Sequence, residues 1–274
     1  SSRKHKTVAI LKFLFGCALP GILKCCGFSL ATVGVKFFKQ KYKKSEVLFV
    51  LAPGSSILNI NEHDFEKIRK VDSFAVNFFT LHPFPTTFCL IEPHDPKLRY
   101  FESRTDVHFK TNVFYKGHST PKTLKNLVLN VLQAQKNGIE VNFLKESGKY
   151  SILPSEGKGD LFTDCFKLGG NSLFYCLSLA FLADYQSVVL CGFDMDEKYF
   201  FCEENTPHFV RQMAKTRGLC SVVHNFASDN KRQSALLAGV SAFITEATAI
   251  NPCFKVYTFK SHGQLAEMLP EFKF

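Results

Sequence analysis

The sequence predicts an α/β fold with a mostly parallel sheet. Apolar runs of strand length, such as VLFVLA at 47–52 and QSVVLCGFDM at 186–195, alternate with helical patterns such as residues 169–185. This alternation is typical of strand–helix–strand units, whose strands run parallel. The chain has 274 residues, of which 46% are hydrophobic and 21% charged. It can therefore bury a full core in one large domain or two small ones, and global disorder is excluded.

The other elements continue the alternation in order along the chain. After the first strand, PGSS forms a turn, and ILNINEHDFEKIRK begins as a turn and becomes helical. Further strands are predicted at 71–79, 86–94, 138–144 and 254–259, and further helices at 120–136 and 229–247. In a parallel sheet of this kind, ligands bind at the carboxyl ends of the strands. The polar residues that follow the strands are therefore the candidates for function.

The charge is concentrated at the start of the chain. Residues 1–45 hold ten Lys and Arg residues and no acidic residue, whereas residues 46–274 carry 24 positive and 24 negative charges. We therefore expect a neutral domain at 46–274 behind a basic arm at 1–45. Because the basic charge is confined to the arm, a nucleic-acid-binding function of the whole chain loses its main support.

Within the arm, residues 7–38 suit a basic amphipathic helix or helical hairpin. The uncharged runs 13–23 and 25–35 are too short to span a membrane. The segment is predicted to lie on an anionic membrane surface, although an N-terminal helix packed on the core with a solvated lysine face is the alternative. Residues 40–44 (QKYKK) resemble a linker.

The ten cysteines predict neither a metal site nor a disulfide framework. None forms a C-x-x-C pair, and most lie inside apolar runs. Free cysteines in such surroundings are small buried hydrophobes, which indicates a reducing compartment such as the cytoplasm.

Three candidate positions follow the first three strands. Gly54, Ser55 and Ser56 form a tight turn whose N–H and hydroxyl groups suit an anion, although simple helix capping explains them as well. Asn77 could hydrogen-bond a ribose or base edge, or form a local Asx turn. Glu92 follows the third strand, where a carboxylate often lies in a cleft, or else in a solvated turn.

Three further candidates lie in the second half of the chain. Asn171 and Ser172 open an apolar helix, where they could bind an anion or cap the helix. Asp194 projects from the strand that ends in Gly192-Phe193-Asp194. His224 follows another apolar run and is a candidate base, although a lone histidine is usually structural.

Taken in order, these segments resemble bacterial sialyltransferases that use CMP-activated sialic acid. In the first half of the chain, the matching features are VLFVLAPGSSIL, the strand end FAVN and the Pro after Glu92. In the second half they are the polar start of the apolar helix, the strand end Gly-x-Asp, and His224, which lies five residues before Asp229. They cover roughly residues 46–245. The resemblance implies a metal-independent glycosyltransferase without a cofactor, in which a Rossmann-like nucleotide-binding domain carries a small lid. By it, Gly54, Ser55, Ser56, Asn77, Asn171 and Ser172 surround CMP and the sugar carboxylate, and His224 is the general base.

The chain is also similar to bacterial transferases of CMP-activated Kdo, which act in capsule and lipopolysaccharide synthesis. Where the sialyltransferases have Asn before the Pro, this chain has Glu92, and a carboxylate-rich site fits the Kdo enzymes better. Pro53 replaces an Asn of the sialyltransferases. Their phosphate-binding tyrosines are not matched, with Tyr199 a possible substitute.

The Kdo resemblance implies that Asp194 is the nucleophile of a retaining double displacement and that Glu92 shares a proton with it. We therefore expect transfer of an acidic 2-keto sugar, Kdo or sialic acid, from CMP to a bacterial surface glycan or glycolipid, with slight preference for the retaining mechanism. The alternatives are an inverting sialyltransferase with His224 as base, and a non-catalytic nucleotide-binding module. The expected location is the cytoplasm, at the inner membrane face, without a nucleic-acid partner.

Overall fold

The architecture is a parallel sheet covered by helices, as the sequence predicts. A computed structural model describes residues 31–33, 35–91, 112–115, 141–144, 172–195, 199–216, 218–221 and 230–274. Within these ranges eight parallel strands form one sheet in the order β1-β6-β5-β4-β3-β2-β7-β8. The strands are β1 (Ala31–Val33), β2 (Val47–Leu51), β3 (Asp72–Val76), β4 (Phe88–Ile91), β5 (Asn112–Tyr115), β6 (Val141–Leu144), β7 (Ser187–Cys191) and β8 (Lys255–Thr258).

Six α-helices and four short 3₁₀ helices lie in the described ranges. The α-helices are α1 (Val35–Lys41), α2 (Glu62–Ile68), α3 (Ser172–Leu182), α4 (His208–Thr216), α5 (Asn230–Ile250) and α6 (Gln264–Met268). The 3₁₀ helices are Ser55–Asn59, Asn77–Leu81, Phe200–Cys202 and Leu219–Ser221. The predicted strands and helices that fall in these ranges are present with shifted ends. The predicted helix at 120–136 lies outside them.

The order of the strands reverses at β2. From β2 the chain adds β3, β4, β5 and β6 one after another on one side, and then β7 and β8 on the other. The loops that follow β2 and β7 therefore leave neighbouring parallel strands in opposite directions. In open α/β sheets such a reversal marks the crevice at the carboxyl ends of the two strands where ligands bind.

The centre of the sheet is buried on both faces because side chains alternate along each strand. Leu48 and Val50 of β2 pack in one core cluster with residues of α3 and α5. Phe49 and Leu51 pack in a second cluster with residues of α2 and α4. This explains why β2 reads as a continuous apolar run in the sequence.

Residues 31–45 differ from the sequence-based expectation in two ways. Ala31–Val33 forms an edge strand parallel to β6, where a helix was predicted. Thr and Val favour strands, and β6 supplies the ladder partners that local patterns cannot reveal. Tyr42, in the middle of the predicted linker, is buried in the core. Phe38, just before that linker, is fully buried with its ring 5.1 Å from that of Phe88.

Two helix and strand ends also move. β3 ends at Val76 because Asn77 adopts a left-handed backbone with φ of 51°, which a strand ladder cannot continue. The late helix, predicted at 229–247, extends to Ile250, two residues before Pro252. Part of it, Gln233–Ile250, is the one stretch in the described residues that is long and apolar enough to cross a membrane. Its Val240, together with other residues on that face, packs in the core beside α3.

Candidate functional site

The turn after β2 packs directly against the strand end of β7. The N–H of Ala52 donates to the Cys191 carbonyl and that of Gly54 to the Gly192 carbonyl, each at 2.8 Å. A Cβ at Gly54 would lie 2.4 Å from the Gly192 oxygen and 2.5 Å from Asp194 Oδ2. Gly192 has φ of +71°, which favours glycine. Glycine at both positions is therefore required for this close approach.

Asp194 lies beneath the turn as a fully buried carboxylate. The Ser56 N–H donates to Oδ2 at 2.7 Å, and the Ser56 hydroxyl donates to Oδ1. The exposed fraction of the Asp194 side chain is 0%. A buried carboxylate needs such donors to offset its lost hydration. Burial, reinforced by the Asp194 charge, raises the pKa of the Cys191 thiol well above its ordinary value, which keeps that thiol protonated.

This geometry changes the expected roles of Ser56 and Asp194. Both donors of Ser56 that the sequence assigned to a ligand are engaged by Asp194. The carboxylate in turn is fully buried next to Gly54, so the arrangement does not support the nucleophile role. It fits a group that holds the turn in place.

The loop after β8 brings a residue that sequence analysis missed. The Nε2 atom of His262 lies 3.4 Å from the Ser55 hydroxyl oxygen and 3.6 Å from Asp194 Oδ2. Gly263, with φ of +82°, lets this loop approach so closely that a Cβ would be 2.5 Å from the Asp194 carbonyl oxygen. The sequence held a usable signal, because His262 follows the final predicted strand at the same edge as the other candidates.

Asn77 and Ser172 form a second polar pair at this edge. The Ser172 hydroxyl, at the first residue of α3, donates to Asn77 Oδ1 at 3.3 Å. The Thr80 hydroxyl donates to the Asn77 carbonyl at 3.2 Å. These bonds support the left-handed backbone of Asn77, an unusual conformation that often occurs at functional sites.

Tyr199 closes the turn from the opposite side. It forms an isolated antiparallel bridge with Gly54, and the N–H of Phe200 donates to the Pro53 carbonyl at 2.9 Å. The Tyr199 ring is buried and stacks on that of Phe201 at 5.0 Å. Burial, with a smaller effect of Cys202, raises the pKa of Tyr199 to about 12. Its hydroxyl is therefore protonated at neutral pH.

The candidate residues thus fall into three sets. Gly54, Ser55, Ser56 and Asp194 meet where β2 and β7 end, and Asn77 meets Ser172 beside β3, the neighbour of β2. Glu92, Asn171 and His224 lie outside the described residues. Within the described ranges, no three His, Cys, Asp or Glu side chains are grouped closely enough to hold a metal ion.

Comparison with known proteins identifies no relative of this chain. No protein-family model matches the chain, and neither curated proteins nor solved structures match it.

Proposed function

We propose that this chain is a metal-independent glycosyltransferase with a Rossmann-like nucleotide-binding domain. It transfers an acidic 2-keto sugar, Kdo or sialic acid, from its CMP-activated donor to a bacterial surface glycan. The observation that carries the proposal is the glycine turn over buried Asp194 at the point where the strand order reverses. In nucleotide-binding α/β sheets the ligand lies at the carboxyl ends of the strands beside such a reversal of strand order.

The second polar pair supports the nucleoside part of the proposal. Asn77 stands beside the crevice in a fixed backbone conformation, and its side chain is oriented by the Ser172 hydroxyl. An amide held in this way can donate to a ribose hydroxyl or a base edge while its oxygen accepts from Ser172. Ser172 lies at the N-terminus of α3, whose first-turn N–H groups favour a negative ligand.

The surroundings of Asp194 favour the inverting form of the reaction. A retaining mechanism needs a carboxylate oxygen in contact with the anomeric carbon of the sugar. To reach it, Asp194 would have to release both Ser56 bonds and leave its buried position beneath Gly54. In the form we favour, Asp194 instead holds the turn, and His224 takes the acceptor proton as general base, a role that comes from the resemblance.

The proposal also includes the location of the reaction. The acceptor is a membrane-linked glycan, and the part of the basic arm that precedes β1, residues 1–30 with five basic residues and no acidic one, would hold the domain at the cytoplasmic face of the inner membrane.

The direct test is transfer from CMP-Kdo and CMP-sialic acid to a panel of bacterial glycan acceptors, followed by mass spectrometry of product and protein. We expect transfer with one donor, its loss in His224→Ala, and normal transfer in the control His208→Ala, whose residue is exposed on α4. A sugar adduct on Asp194 would establish the retaining form instead. CMP binding without transfer to any acceptor would favour a non-catalytic module, and neither binding nor transfer would refute the proposal.

A further inference from the structure

His262 has a geometry that differs from a catalytic triad. In a Ser-His-Asp triad the two ring nitrogens contact different partners, one the serine and the other the carboxylate. Here the same Nε2 atom lies 3.4 Å from the Ser55 hydroxyl and 3.6 Å from Asp194 Oδ2. A proton on that nitrogen therefore points towards oxygen atoms of the turn, and relay of a proton through the ring from Ser55 to Asp194 is excluded.

The charge distribution at the turn explains what this nitrogen can do. Asp194 places a buried negative charge behind a turn that, on the proposed function, must accept a negatively charged group. Two like charges in partly buried surroundings repel each other strongly. The two donors of Ser56 are already used to hold Asp194. An incoming anion therefore needs other donors and a compensating positive charge.

Ser55 and His262 supply the additional donors and the positive charge at the carboxyl ends of the strands. We infer that they form an anion-recognising pair, in which the protonated imidazole offsets the Asp194 charge while His262 and the Ser55 hydroxyl contact a phosphate or carboxylate oxygen of the ligand. The His262 side chain is 48% exposed, so a ligand can reach it, whereas Asp194 behind it cannot be reached. The inference rests on the proposed function and names the residues that select an anionic donor.

Two described polar groups on the elements around His262 have contacts of their own. The Lys260 ammonium, two residues earlier in the same loop, pairs with Asp64 on α2. α5 contributes the uncharged Gln233, which donates to the Met195 carbonyl beside Asp194 at 2.9 Å. From α6, which begins just after His262, Glu267 lies in the first turn and would add a negative charge. In the described part of the chain, the basic side chain that contacts Ser55 is that of His262.

The test measures the affinity of the full chain for CMP, cytidine, inorganic phosphate and free Kdo by calorimetry. The wild type is compared with His262→Gln, His262→Lys, Ser55→Ala and the matched control His208→Gln, and thermal melting verifies that each variant is folded. Titrations run from about pH 5.5 to about pH 8.5, so that the affinity can be compared at acidic and alkaline pH. The CMP phosphate also titrates near pH 6, so the wild-type affinity is read as a ratio to that of His262→Gln at each pH.

We expect wild type to bind CMP about three- to tenfold more tightly than His262→Gln at the acidic end, since a charge-assisted hydrogen bond at a half-exposed site has this size. The ratio should be smaller at the alkaline end than at the acidic end. His262→Lys should keep tight binding across the whole range, Ser55→Ala should lose part of it, and His208→Gln should match wild type. Cytidine, which lacks the phosphate, should bind all the variants equally. If Kdo rather than inorganic phosphate shows the His262 dependence, the pair recognises the sugar carboxylate.

The outcomes separate the inference from the proposed function. Equal CMP affinity in wild type and His262→Gln at every pH, without a His262-dependent effect on Kdo, overturns the inference and leaves the proposed function standing. Binding of inorganic phosphate that depends on His262, without any binding of CMP, supports the inference and contradicts the proposed function. If none of the four compounds binds, both are wrong.

Discussion

Substitution of Gly54 by alanine tests how tightly the β2 turn is packed on Asp194. The added Cβ would lie 2.4 Å from the Gly192 carbonyl oxygen and 2.5 Å from Asp194 Oδ2. Neither neighbour can give way easily, since one is backbone and the other is a buried carboxylate held by Ser56. Gly54 itself has φ of −62°, which alanine adopts without strain. Any loss of stability therefore comes from the steric clash.

The expected size of the effect follows from two contributions. Overpacking by one methyl group typically costs about 1–3 kcal/mol. Displacement of the turn also weakens the 2.8 Å hydrogen bond from the Gly54 N–H to Gly192, at about 1 kcal/mol. Gly54→Ala should therefore lower the free energy of unfolding by about 2–4 kcal/mol, the sum of these terms.

Two other glycines provide matched comparisons. Gly218 has φ of +66° and, among the described residues, no atom within 4 Å of an added Cβ, so Gly218→Ala isolates backbone strain, at about 1–2 kcal/mol. Gly192 combines φ of +71° with a Cβ position 2.2 Å from the Ala52 oxygen, so Gly192→Ala should be the most damaging. Urea unfolding followed by circular dichroism measures all three variants, with the slope m as a check on two-state behaviour. A smaller loss in Gly54→Ala than in Gly218→Ala would refute the described packing.

Three further predictions concern buried polar groups. Asp194→Asn leaves a single acceptor for the two donors of Ser56, so urea unfolding should show a loss of about 1.5–3 kcal/mol. Burial alone would raise the pKa of Asp64, but its hydrogen bonds to a lysine and to the helix cap hold that pKa below the ordinary value. The stabilisation by the ionised carboxylate is therefore present at neutral pH and is lost as the pH falls through the lowered pKa. Asp64→Asn should consequently lose less stability on acidification than the wild type. The Tyr185 hydroxyl donates to Asp72 at 2.8 Å in the core, so Tyr185→Phe should lower the melting temperature, and an unchanged value would show that this bond contributes nothing.

The sequence allowed prediction of those features that depend on local pattern. β2 and β7 are buried on both faces, so their apolar runs were visible without knowledge of their partners. The turn at Gly54 was visible because glycine and serine follow such a run directly. Because the carboxyl ends of parallel strands lie at the same edge of a sheet, Asn77 and Asp194 could also be assigned to one edge.

Features that depend on contacts distant in sequence could not be predicted. The Ser55–His262 contact joins residues 207 positions apart, and the approach of Gly263 to Asp194 depends on the packing of β8 beside β7. β1 is three residues long and becomes a strand because β6 offers it an edge. The nucleophile role expected for Asp194 came from a resemblance in sequence, which contains no information on burial.

The most direct test of the central claim is a crystal structure of the protein with CMP. On the proposed function and the inferred role of Ser55 and His262, the phosphate should lie at the carboxyl ends of β2 and β7, against these two residues. The nucleoside should lie towards Asn77. CMP bound at any other part of the sheet, or a crevice that CMP does not enter at saturating concentration, would contradict this expectation.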